Sequence, residues 1–61
     1  MKYFFIRISM RDGKEYKGIV LDNNVSGALE HFIDLNSLYP TKAIDKVIIQ
    51  DSERGGPTVL I

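Results

Sequence analysis

Only one stretch of this 61-residue chain carries the spacing of a helix. Val25, Ala28, Leu29, Phe32 and Leu35, with Tyr39 a turn later, recur at intervals of three and four. That spacing lines one side of a 3.6-residue spiral. Glu30, His31, Asp34 and Asn36 or Ser37 fall on the other side. Asn24 is the expected N-cap, because its side-chain oxygen can accept from an early backbone N–H. Pro40 stops the helix at or before Tyr39. A lone amphipathic helix must bury its apolar stripe against something, and the flanking sequence on both sides reads as β-structure. The expected fold is therefore α+β in the order β-β-α-β-β, with one helix packed on one face of an antiparallel sheet of three to four strands.

The strands have their own signatures. From Lys2 to Met10 the chain alternates, with Phe4, Ile6, Ile8 and Met10 on one face and Tyr3, Phe5, Arg7 and Ser9 on the other. Period two with aromatic and β-branched residues predicts a strand. Arg11-Asp12-Gly13-Lys14 reads as a hairpin turn, since Gly supplies the positive φ that such turns need. Glu15 to Leu21 is the return strand. A two-residue Asp12-Gly13 loop pairs Ile6 with Ile19 and Phe4 with Leu21. A three-residue loop with a bulge at Gly13 exchanges the two faces of the second strand. The first register is preferred because it stacks Phe4, Ile6, Ile19 and Leu21, and it leaves Tyr16 and Val20 beside Tyr3, Phe5 and Arg7. Ile44 to Gln50 predicts a third strand, residues 51–57 a loop, and Thr58 to Ile61 a short fourth strand. The crossover through the helix should be right-handed and skip the first strand, giving the order 2-1-3-4.

Length and composition narrow the function classes. The chain is one domain, 1–61. A domain this small buries only about 60% of the surface its unfolded chain exposes. With no Cys, disulfides cannot help, and with His31 the only imidazole a structural zinc is nearly excluded. No cofactor is expected. An efficient core or a second chain must supply stability, which brings in homodimerisation. No apolar run approaches the ~20 residues a membrane span needs. Arg7 interrupts the N-terminal apolar run too early for a signal peptide, so a cytoplasmic location is expected. Asn24-Val25-Ser26 matches a glycosylation sequon, but helix capping accounts for it.

Charge is neutral overall, eight Lys and Arg against eight Asp and Glu. A non-specific nucleic-acid binder should be basic and a DNA mimic acidic. The distribution is uneven. Residues 1–21 hold five basic and two acidic side chains, and residues 22–41 hold three acidic and no Lys or Arg.

Catalytic readings are thin. His31 and Asp34 share a helix face and could form an acid–base pair, but a solvated ion pair explains them without a third group or nucleophile. Gly55-Gly56-Pro57 precedes a β-branched run, whereas a phosphate cradle wants a helix there. The chain is not expected to be an enzyme, and one helix on one sheet leaves little room for a cleft of ~300–1,000 Å³.

The informative set is Tyr3, Phe5 and Arg7, joined in the preferred register by Tyr16 and Val20. If the helix covers Phe4, Ile6 and Ile8, these residues face water. Exposed apolar patches mark interaction sites, and Tyr, Phe and Arg are enriched in interface cores. Three readings compete: docking of a protein partner or a second copy, stacking of single-stranded bases with Arg7, Lys2 and Lys17 near the phosphates, and plain strand propensity. The C-terminal strand is a second candidate, as an edge that could extend a partner's sheet. The first reading makes the chain a non-enzymatic protein-interaction module, an inhibitor or accessory subunit. The second makes it a nucleic-acid-binding module.

The architecture looks like that of many small phage and mobile-element proteins that bind and block a host enzyme. A hairpin with Asp12-Gly13-Lys14 and Tyr16, then a single helix, then Ala43-Ile44-Asp45 opening a strand, is similar to the phage-type uracil-DNA glycosylase inhibitors over about two thirds of the chain. The resemblance implies an inhibitor that imitates DNA with an acidic surface. This neutral chain departs from that pattern, and no residue role is assigned from it.

Overall fold

A computed structural model describes residues 1–60. Its elements are β1 (Lys2–Met10), β2 (Glu15–Asp22), α1 (Val25–Asn36), a 3₁₀ turn (Thr41–Ala43), β3 (Ile44–Asp51) and β4 (Thr58–Val59). The four strands form one antiparallel sheet in the order β2-β1-β3-β4, and α1 packs on one face. Ile61, the last residue of the expected fourth strand, lies outside the described residues.

Alternation in β1 sets the layers. Phe4, Ile6 and Ile8 are fully covered, whereas Tyr3, Phe5 and Arg7 are exposed. Val47, Ile49 and Ile44 of β3 join the covered side, as do Ala28, Phe32 and Ile33 of α1. No buried polar side chain interrupts this core among the described residues.

The hairpin register differs from the preferred one. β1 and β2 pair Phe4 with Val20, Ile6 with Gly18 and Ile8 with Tyr16. The loop is the three-residue kind. The Gly13 N–H donates to the Met10 carbonyl, the Met10 N–H donates to the Lys14 carbonyl, and Gly13 takes φ 94°. The Lys14 N–H also donates to the Asp12 carboxylate at 2.9 Å, which fixes the turn locally. This bulge shifts β2 by one residue and reverses its faces. Val20 is buried in the core and Tyr16 packs against its margin. Their assignment to the uncovered face is therefore corrected. Lys17, Ile19 and Leu21 take their places there.

The helix starts as the sequence predicts, with the Asn24 side chain accepting from the Gly27 N–H at 2.8 Å. It ends earlier, at Asn36, where Ser37 adopts a left-handed conformation. The Ser37 N–H donates to the Asp34 carbonyl and the Leu38 N–H to the Ile33 carbonyl. That reversal brings Leu38 back into the core. Ile33 and Leu38 thus occupy the place expected for Leu35 and Tyr39, both of which are well exposed. Val25 also lies at the margin rather than inside.

One end of the sheet is clamped electrostatically. Lys2 Nζ sits 2.6 Å from the Asp51 carboxylate, whose side chain is largely covered. The Asp51 carboxyl is held below its ordinary value of 3.8, first by Lys2 and then by the Glu53 backbone N–H. A carboxyl depressed in the folded state stabilises above its unfolded value and stops doing so as pH falls through the folded one. Thermal melts should therefore show stability lost as the pH drops below that ordinary value. In Asp51→Asn the same acid titration should show a shallower loss. An equal slope in both proteins would place the acid sensitivity elsewhere.

Candidate protein-interaction surface

The uncovered face of the sheet is built from cross-strand rows, and the register fixes their membership. Tyr3 stands opposite Leu21. The next row is Ile19, Phe5 and Gln50, and the one after it Lys17, Arg7, Ile48 and Val59. The last is Glu15, Ser9 and Lys46. Two rows are therefore mainly apolar, the third mixes apolar and basic residues, and the fourth is polar.

Exposure makes this face unusual. Tyr3 is 56% exposed, Phe5 44%, Ile19 60% and Leu21 42%, all side by side, with Val59 at the edge of the same surface. Strand propensity alone explains a scattered aromatic. It does not explain a contiguous set on two neighbouring strands. The rows frame a shallow concavity of about 440 Å³, lined by Phe5, Ile19, Ile48, Gln50, Arg7 and Lys17. It is a dish on the sheet surface rather than an enclosed cleft.

The polar border is partly self-satisfied. Arg7 Nε donates to Glu15 Oε1 at 2.7 Å. Lys17 and Lys46 have no ion pair among the described residues. The face thus carries a basic margin at the hairpin end, next to an aromatic field at the other.

Other sequence candidates are dispersed. The partner of His31 is Asp22 rather than Asp34, with Nδ1 3.9 Å from the carboxylate. Asp34 instead accepts from the Tyr39 hydroxyl, and that bond raises the Tyr39 pKa above its ordinary 10.0. No three His, Cys, Asp or Glu side chains among the described residues gather as a metal site would require. Gly55 and Gly56 lie in the loop before β4, with no helix after them. Just after β4, the Leu60 N–H donates to the Val47 carbonyl, which with the β3–β4 pairing ties this end of the chain to β3.

Sequence reasoning placed Tyr3, Phe5 and Arg7 on the uncovered face and left Ile19, Leu21 and Ile48 out of it. The signal that could have found the first two is the pair Glu15 and Lys17. The preferred register placed both beneath the helix, where their charges would lack water. No helix is long and apolar enough to cross a membrane among the described residues. Comparison with protein-family models, curated proteins and solved structures yields no match to this chain.

Proposed function

We propose that this chain is a non-enzymatic protein-interaction module, of inhibitor or accessory type and cytoplasmic, which docks another protein surface through its uncovered sheet face. The observation that carries this reading is the contiguous field of Tyr3, Phe5, Ile19 and Leu21, large apolar side chains left in water on one side of the sheet. Burying such a field is favourable in proportion to the apolar area removed from water. Aromatic anchors with an adjoining Arg are also the composition of interface cores. Base stacking is the weaker reading, because the exposed rows are mainly apolar and the chain is neutral overall, whereas a nucleic-acid binder should be basic.

The test is site-specific photocrosslinking in cells that produce the protein. A photoreactive phenylalanine analogue at Phe5 should give protein adducts, and the same group at Leu35 on the outer helix surface should give none. Nucleic-acid adducts from position 5 would replace this reading with the stacking one. The absence of any adduct at position 5 would remove it.

A further inference from the structure

We propose that the occupant of the uncovered face is a second copy of this chain, stacked sheet against sheet about a two-fold axis that crosses the strands at the level of Phe5. This rests on the reading of that face as a protein-docking surface, and it is carried by the order of the rows.

An axis in the sheet plane, perpendicular to the strands, lays each strand over its own counterpart with direction reversed. The central row, Ile19, Phe5 and Gln50, then meets itself. Tyr3 lies one row to one side of Phe5 and Arg7 one row to the other. Tyr3 of each copy therefore faces Arg7 of the other, so an aromatic ring meets a guanidinium twice. Leu21 likewise meets Lys17, whose aliphatic stem can cover it while the ammonium reaches solvent. Lys46 falls outside the overlap, at the rim.

The competing two-fold, along the strands, brings Arg7 onto Arg7 and lays like charges together. Stacking the basic end of the face on the acidic helix layer of another copy is a head-to-tail contact, which does not close and leads to open assemblies. Of the two axes, the crossing one keeps the apolar row together without laying Arg7 on Arg7.

The area sets the strength. Three strands of eight or nine residues give a platform of roughly 28 by 14 Å. Two such faces come to about 800 Å², the size of a weak, reversible association rather than an obligate one. Sheets packed face to face keep their strands within about 30° of each other, which preserves these row contacts near the axis.

Sedimentation equilibrium of the intact chain at about 100 µM, well above the micromolar dissociation constant a small interface supports, should return twice its 6.9 kDa mass. Ile19→Asp should return the monomer mass with an unchanged far-UV circular dichroism spectrum. Phe5→Asp serves the same purpose if that spectrum changes. The orientation has its own readout: Tyr3→Glu, set against Arg7 of the second copy, should keep the dimer, and Tyr3→Lys should weaken it at least about tenfold. A dimer that survives both Ile19→Asp and Phe5→Asp overturns the proposal and moves the contact to an edge strand. Loss of the dimer in Tyr3→Glu, whatever Tyr3→Lys does, overturns the axis. A monomeric native chain that still gives protein adducts from position 5 overturns self-association and leaves the docking reading standing. A monomer without adducts removes both.

Discussion

Phe4→Ala is expected to cost this domain about 3–5 kcal/mol, and Phe5→Ala, one residue along, about 1 kcal/mol or less. The two side chains are chemically identical and adjacent, and only the layer they enter differs. Phe4 is 0% exposed, at the centre of the core with Ile6, Ile8 and Ile49. Its removal takes away buried area and leaves a cavity that close-packed neighbours cannot fill. Phe5 points away from the helix, so its truncation removes little that the folded monomer uses. A chain of this length has roughly 3–9 kcal/mol of total stability. Phe4→Ala should then melt about 12–40 °C below the parent, while Phe5→Ala melts within about 8 °C of it. Urea titrations should be run at submicromolar protein, where the chain is monomeric; otherwise Phe5 reports association as well as folding. If Phe5→Ala melts the isolated domain as Phe4→Ala does, the layer assignment fails and the interface with it.

How much of this was legible in the sequence depends on how many levels of pattern agreed. In β1, alternation, β-propensity and the need to cover Phe4, Ile6 and Ile8 point the same way, and both the strand and its faces follow. At the start of α1, Asn24 caps where its chemistry requires. In the strand order β2-β1-β3-β4 the helix connection skips β1, as expected. In β2 the levels disagree. Ile19, Val20 and Leu21 are three consecutive apolar residues, so apolarity alone cannot choose a face. The turn residues Asp12 and Gly13 suit both loop lengths. The choice is made by tertiary packing, through what the helix can tolerate above positions 16, 18 and 20. The rotation of α1 is set in the same way. Phe32 settles over β2, which draws Ile33 inward and turns Leu35 out to solvent. A helical stripe read at three- and four-residue intervals fixes the apolar side only to within about one residue's rotation, and the facing strand decides the rest.

That packing makes Gly18→Ala the most informative single change in the molecule. In an ordinary strand interior, Ala in place of Gly stabilises by about 0.5–1 kcal/mol, because Gly loses more chain entropy on folding. Here the result should be the reverse. A Cβ built at Gly18 lies 2.6 Å from Cε1 of Phe32, well inside contact distance. Phe32 is only 3% exposed, so its ring has no free space into which to swing. Overpacking of this kind costs about 1–3 kcal/mol, which outweighs the entropic gain. The midpoint of thermal unfolding should fall by about 4–8 °C for each net kcal/mol lost. Phe32→Leu alone should also destabilise, by opening a void, but it makes room for the added methyl. The double variant should therefore be more stable than the two single losses imply, by at least about 0.5 kcal/mol in a double-mutant cycle. In the register that the turn residues also allow, Gly18 would face open water and Gly18→Ala would raise stability. A neutral or stabilising result would thus return Tyr16 and Val20 to the uncovered face and take Ile19 and Leu21 away from it.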